Sequence, residues 1–242
     1  MMIDAIKRCY LLFAMIFIAV SALFFSCKKD KEIINVDLGY NYFPDKKGNY
    51  VIYQVDSLFY NDFTFTIDTF QFQIKEKITE NFNDLSKRPT QRIERFYRQS
   101  SSQEWMIKDV WFANITNTTA EKVEENIRFV KIVFPLKKEL TWNGNQFNSL
   151  GEQNYALTKL NEPLKLGSLN FDSIIYISQA ADSNLIEKKI AFEIYAKNVG
   201  LVYKKNLSIT DKDSVINYTL PLELRANSGF DLTYKAIAFG NE

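Results

Sequence analysis

The 242-residue sequence predicts an all-β protein: a large curved antiparallel sheet or an open half-barrel, preceded by an N-terminal lipoprotein signal helix. Three observations carry this. Apolar and polar residues alternate over many short stretches, the period-2 pattern of strands with one face in a core and one in water. Aromatic residues, which strands favour, are dense, with 20 Phe, 13 Tyr and 3 Trp. Beyond the N-terminal segment no stretch holds a convincing helical period, residues 118–126 being the one modest candidate.

Residues 1–26 read as a lipoprotein signal peptide. Lys7 and Arg8 precede an apolar run from Leu11 to Phe25 that stops at Ser26-Cys27-Lys28-Lys29-Asp30. Basic, then apolar, then small is the layout of a segment that directs export and is removed. A single transmembrane helix is the competing reading, but the run is at the short end of the roughly 20 residues a span needs. The cysteine at its exit decides, and Cys27 is expected to carry the lipid, with palmitate as the metabolic label. Phe24 and Phe25 stand where the usual lipoprotein box has an aliphatic and a small residue. That looser box, and the run Cys27-Lys28-Lys29-Asp30-Lys31-Glu32, resemble lipoproteins of the Bacteroidetes. The resemblance implies a lipid-anchored outer-membrane protein, on the periplasmic face or at the cell surface. Residues 27–41 form the lipidated tether, and residues 42–242 a single all-β domain of a size such domains commonly take.

Within the domain the first strand is expected near 50–56. Phe63, Phe65 and Ile67 then fall on odd positions and Phe70, Phe72 and Ile74 on even ones, so a bulge or tight turn is expected at Asp68-Thr69. Strands follow near 91–98, 104–113, 124–134, 154–159 and 171–178. Ile190, Phe192, Ile194 and Ala196 alternate with Lys189, Glu193 and Lys197, and a strand near 200–208 comes next. Ile216, Tyr218, Leu220, Leu222 and Leu224 make another apolar face, and Phe230, Leu232, Tyr234, Ala236 and Ala238 the last. With only 8 Gly and 5 Pro, most turns fall to Asn, Asp and Ser, as at Asn143-Gly144-Asn145 and Asp211-Lys212-Asp213. Charges on the polar parity, Lys75, Glu76, Lys77, Arg92, Glu94 and Arg98, break the apolar band that a lipid-facing barrel needs. Those faces are expected in water and the apolar faces inside the sheet's curve.

Phe43-Pro44-Asp45-Lys46-Lys47 is echoed by Phe134-Pro135-Leu136-Lys137-Lys138, each leading to an aromatic residue, and reads as a structural corner reused. Together with Gly48-Asn49-Tyr50, Trp142-Asn143-Gly144-Asn145 and Tyr195-Ala196-Lys197-Asn198-Val199-Gly200-Leu201-Val202-Tyr203, these corners resemble a family of uncharacterised Bacteroidetes outer-membrane lipoproteins over residues 40–206. The resemblance implies a lipid-anchored all-β domain and brings no activity with it. Asp56-Ser57-Leu58, Asp172-Ser173-Ile174 and Asp213-Ser214-Val215 also match a pattern that resembles the Bacteroidetes O-glycosylation acceptor.

Composition narrows the chemistry. There is no His, which removes the commonest general base and metal ligand and every Ser-His or Cys-His nucleophile. Of the 2 Cys, Cys9 lies in the segment to be removed, leaving neither a disulfide nor a thiolate site once Cys27 is acylated. Asp211-x-Asp213 lacks the third ligand and the Gly of a calcium loop, so no metal or other cofactor is expected. A net charge of +1 argues against nucleic acid as partner. Only a carboxylate pair could serve catalysis, as in a glycan hydrolase, and nothing in the sequence brings two acids together. A non-enzymatic binding or accessory protein is expected, its ligand an unidentified protein, glycan or apolar molecule such as a lipid or lipoprotein acyl chain held in the half-barrel. The rings singled out for such binding are Trp105, Trp111, Trp142, Tyr155 and Phe192.

Overall fold

The computed structural model describes residues 37–213 and 219–242, with isolated Ile3 and Met15. The signal segment and Cys27 lie outside the described residues, as does Ser214. The chain divides into Met1–Val36 and Asp37–Glu242, and the second unit holds the sheet. After a short 3-10 turn at Tyr40–Tyr42 come β1 (Asn49–Asn61), β2 (Thr66–Asn83), β3 (Pro89–Arg98), β4 (Met106–Ile115), β5 (Thr119–Glu124) and β6 (Ile127–Val133). Then follow β7 (Thr141–Asn143), β8 (Asn154–Leu166), β9 (Leu169–Ser183), β10 (Glu187–Ala196), β11 (Gly200–Thr210), a single helical turn α1 (Leu222–Arg225) and β12 (Ser228–Asn241).

All twelve strands form one sheet in the order β6-β5-β4-β3-β2-β1-β12-β11-β10-β9-β8-β7. Apart from β6 and β7, each strand pairs with its neighbour in sequence. The first and last strands pair with each other, from Asn49↔Asn241 to Tyr60↔Gly229. The ring is therefore open only between β6 and β7, in mid-chain. There the Val130 N–H donates to the Gly144 carbonyl at 2.8 Å, and Trp142 Nε1 donates to the Val130 carbonyl at 3.0 Å. The predicted curved antiparallel sheet is present, curled into a barrel that is nearly closed.

Local chemistry explains where the elements break. Glu125 and Asn126 both have positive φ, 49° and 65°, the signature of a two-residue hairpin turn matched to strand twist. That turn moves the start of the strand expected at 124–134 to Ile127, and residues 118–126, the helical candidate, instead form β5 and the turn of a hairpin. Between β1 and β2, Asn61 Oδ1 accepts from the Phe63 and Thr64 amides, and Phe65 has φ 58°. The tight turn thus sits at residues 62–65, while Asp68 and Thr69 pair in unbroken register with Phe59 and Leu58. The parity switch marks that turn; no bulge interrupts β2 at Asp68-Thr69. The expected strand at 216–224 is not formed in its described part. Pro221 precedes α1, whose Leu222 packs with Tyr60, Leu207, Ile209 and Ala226.

Two larger cores fill the domain. The first joins Ile78, Ile93, Ala113, Ala120, Val130 and Ile132 to Trp142, Tyr155, Leu157, Ile175, Ile177 and Tyr195, with Tyr42 and Phe43. Phe134 lies in it as well, against the Tyr40 ring at 4.6 Å, so both Phe-Pro corners anchor one core. The second gathers Val51, Tyr53, Val55 and Ile74 with Phe171, Ile174, Ile194, Ala196 and Val202, and Leu164, Leu166 and Leu169 of the β8–β9 hairpin pack against it. Gly200, at φ 95°, lets the β10–β11 turn meet the first corner, because a Cβ there would lie 3.2 Å from Pro44 Cδ.

Candidate functional site

The sheet encloses a network of paired charges. On β2 the even positions Ile74, Glu76 and Ile78 share one face, and on β3 Ile93 and Arg95 share another; Arg95 is 2% exposed. Arg95 Nε donates to Glu76 Oε1 at 3.0 Å, its Nη1 to Asp109 Oδ2 at 2.9 Å and its Nη2 to Tyr234 Oη at 3.2 Å. Lys122 Nζ reaches Glu76 Oε2 at 2.8 Å. Beside this group, Lys131 Nζ lies 3.0 Å from both Glu124 Oε1 and Glu193 Oε1. Lys204 Nζ is 3.5 Å from the same two carboxylates, and Tyr195 donates to Glu193 Oε2 at 2.6 Å. These contacts join β2 to β5, β3 to β12, β5 to β11 and β6 to β10, none of them neighbours in the sheet. Such contacts must cross the space the sheet encloses.

The network therefore overturns one expectation. Glu76 was assigned to a water-facing parity, and in β10 the apolar parity was assigned to the inside. Instead Glu76, Glu193 and Tyr195 point into the lumen, and Ile194 and Ala196 on the opposite face of β10 join the second core. A barrel has two faces to fill, and the outer face of β10 is covered. The sequence signal is a charge flanked at i±2 by residues destined for burial, as in Ile74-x-Glu76-x-Ile78.

Four acids meet four bases, so the network is neutral. Burial works against the ionised forms of Glu76, Glu124, Glu193, Arg95, Lys131 and Lys204, but the opposite charges win. Lys122 and Arg95 hold the Glu76 carboxyl below the usual carboxylate range. Lys131 and Lys204 do the same to Glu124 and Glu193. In return Glu124 and Glu193 raise Lys131 and Lys204. Burial also raises the Tyr53, Tyr195 and Tyr234 hydroxyls, all neutral at physiological pH.

The network separates two spaces. A narrow chamber of about 70 Å³, lined by Phe43, Val51, Tyr53, Ile78, Ile93 and Tyr195 among others, lies on one side. A cleft of about 340 Å³ lies on the other, walled by Trp111, Ile127, Phe129, Leu232 and Tyr234 and opening beside the β5–β6 turn. Glu76, Lys122 and Glu124 border both. The Arg95 guanidinium stacks 3.5 Å over the Trp111 ring and Lys122 Nζ sits 4.8 Å from it, a cation–π arrangement that is stronger away from water. Trp111 Nε1 is buried without a hydrogen-bond partner.

The five rings singled out from sequence go to different places. Trp111 alone lines the 340 Å³ cleft. Trp105 is half-buried near the β3–β4 turn with Arg98 stacked on it at 4.2 Å. Trp142 and Tyr155 come together, but in the first core, edge to face at 6.1 Å. Burial pushes the Tyr155 hydroxyl up to about 12, and Gly144 leaves room for its ring, since a Cβ there would lie 2.3 Å away. Phe192 stacks between Tyr176 and Tyr203 at 4.7 and 5.6 Å, on the face of β10 opposite Glu193. The rings most open to solvent are Phe63 and Phe65 in the β1–β2 turn, 88% and 77% exposed. Of the acceptor-like serines, Ser57 lies within β1, and Ser173 on β9 is bonded to the Tyr42 hydroxyl at 2.6 Å. Asp211 is engaged by Arg225.

No protein family and no curated protein matches the chain by sequence. Two solved structures are similar in shape. One is a Bacteroides fragilis protein predicted to be exported, of YmcC-like fold, at TM-score 0.42 and 8% identity over 82% of this chain and 98% of that one. The other is a Parabacteroides distasonis protein predicted to be a lipoprotein, at TM-score 0.39 and 14% identity over 85% of this chain and 100% of that one.

Proposed function

We propose that this is a lipid-anchored outer-membrane protein that binds, without transforming, an amphipathic ligand at the mouth of its lumen. The observation that carries the reading is the 340 Å³ cleft, in which apolar walls meet a floor of fixed charges. Small-molecule sites commonly fall between about 300 and 1,000 Å³ and combine apolar walls with a few placed polar groups. The ligand's apolar body would lie along Trp111, Phe129 and Leu232, and its polar end on the network. The chamber behind the network, about 70 Å³, is too small for that body, which favours the outer cleft over a deeply held acyl chain. Glu76, Glu124 and Glu193 are each held ionised by two cations, whereas a general acid works best with a pKa near the operating pH. Binding is therefore favoured over hydrolysis.

Purified residues 28–242 are expected to bind 1-anilinonaphthalene-8-sulfonate saturably, one molecule per cooperatively folded domain. Trp111→Ala should weaken this binding by at least about tenfold, the equivalent of one good contact, and Phe192→Ala should not. Affinity that follows Phe192 and ignores Trp111 would overturn the assignment of the cleft.

Attachment to the membrane rests on Cys27. The Cys27→Ser protein is expected to lose all palmitate label and to leave the lipid-anchored membrane fraction as unprocessed precursor or soluble product. Equal labelling of the variant would remove the anchor from this reading.

A further inference from the structure

At the other end of the barrel, beside the turn that follows Asp37, lies a second cleft of about 620 Å³. Five of its lining residues are carboxamides: Asn41, Asn49, Gln91, Asn117 and Asn198. They come from the segment before β1 and the first residue of β1, from the start of β3, and from the β4–β5 and β10–β11 turns, so the fold collects them from well-separated places in the chain. Gln91 is 3% exposed. Its Oε1 and the Asn41 Oδ1 are both buried without a hydrogen-bond partner, and they are the unpartnered buried side-chain oxygens among the described residues. Elsewhere buried amide oxygens are satisfied, as where Arg128 donates to Asn114 Oδ1 at 2.7 Å, while the Gln179 amide nitrogen, away from this cleft, is unpartnered. Buried polar groups in native proteins are nearly always paired, so two unpartnered acceptors on residues lining one cleft ask for donors from outside the chain.

The lining selects the ligand class. Asp45 and Lys46 are its two charged residues and cancel, which leaves no surplus charge to hold a phosphate or carboxylate. An apolar ligand would leave the amides unpaired. Carboxamides both donate and accept, and so do the hydroxyls of a sugar. The Tyr40 and Phe43 rings add apolar surface of the kind sugar C–H faces cover. Tyr40 is fixed by the bond from its hydroxyl to the Asn117 carbonyl at 2.9 Å, which ties the β4–β5 turn to the cleft.

We propose that this cleft is a binding site for a neutral saccharide, free or carried as the head group of a glycolipid, and that it is independent of the lumen-mouth site. The full chain, held in a sugar-free detergent, is titrated with maltotriose, cellotriose and mannotriose and followed by saturation-transfer NMR. A parallel arm floats the protein with phosphatidylcholine vesicles with or without digalactosyl diacylglycerol. Saturable binding of a trisaccharide is expected, weakened about tenfold or more by Asn117→Ala and by Gln91→Leu, each of which removes a hydrogen-bonding group, and unchanged by Trp111→Ala or by excess inorganic phosphate. Binding confined to the glycolipid vesicles, with the same dependence on Asn117 and Gln91, assigns the lipid-borne source. Asn117 is exposed on a turn, so its variant tests the site even where Gln91→Leu does not fold. No saturable binding in either arm, or binding indifferent to both substitutions, overturns the proposal, as does displacement by phosphate. Loss with Trp111→Ala alone would return the activity to the lumen mouth.

Discussion

Lys131→Met is expected to destabilise the domain by about 3–5 kcal/mol, the usual consequence of removing one partner from a buried ion pair. Lys131 is 3% exposed and its ammonium lies between the Glu124 and Glu193 carboxylates. The methionine fills a similar volume, so the loss is electrostatic. Two carboxylates would then face each other across the lumen with Lys204, at 3.5 Å from each, as the cation they share. Lys131→Met combined with Glu193→Gln removes one charge of each sign and keeps the Glu124–Lys204 pair. That double variant should recover most of the loss, because a balanced interior is close to neutral in free energy against an uncharged one of the same shape. Urea unfolding of the three proteins measures both effects. A loss below about 1 kcal/mol, the scale of an exposed pair, or a double variant less stable than Lys131→Met, would show that the network is not buried as described.

Acid is expected to unfold the domain through the same groups. Glu76, Glu124 and Glu193 are held below their unfolded value, which is about 4.3. Their contribution is therefore complete above that value and is lost as pH falls through the depressed folded values. Where all three titrate together, stability should change by about 4 kcal/mol per pH unit, one proton per carboxylate. Lys131 and Lys204 are raised, so their contribution is complete below about 10.4 and is lost only as pH rises through the folded values. Burial raises the Tyr53, Tyr195 and Tyr234 hydroxyls and places their loss above about 10 as well. Stability should thus be level from about pH 5 to 10 and fall on both sides, the acid side being shallower in Lys131→Met/Glu193→Gln. An acid limb of the same slope in that variant and in the wild type would mean that other groups govern the response.

The periodicity made the fold class legible because period-2 alternation survives whichever face is buried. It could not say which face was the inside. In β10, Ile190, Phe192, Ile194 and Ala196 looked like the core-facing set. Phe192, Ile194 and Ala196 do pack with the second core and Ile190 with the cluster of Tyr60 and Leu222, but from the face of β10 opposite Glu193 and Tyr195, which point into the lumen. Turn chemistry was readable at Asn143-Gly144 and Asn198-Val199-Gly200, where the residue types announce their backbone. It was hidden at Glu125, whose positive φ no glycine advertises, so the strand expected from 124 starts only at Ile127 and β5 takes the place of the helical candidate. The candidate site was mostly illegible for a related reason. Lys122, Lys131 and Glu193 are far apart in sequence, and a charge in a strand reads as solvated until its cross-lumen partner is known. Trp111 stands among the five rings that the sequence offered for binding, and it is the one of them that borders the cleft.

The ring is closed by its outermost strands and left open in its middle, and this gives the domain a built-in order of assembly. A chain made from its N-terminal end presents β1 early, with β2 to pair on one side and nothing on the other until residues 228–241 arrive. Until then β1 and β11 are both naked edges, the form of sheet most prone to pair with the wrong chain. Joining strands this distant in sequence is also the slow part of folding. A chain broken off before β12 would keep most of its hairpins and yet remain an open ribbon, its lumen charges facing water. Completion of the last strand is thus what turns a string of hairpins into a container.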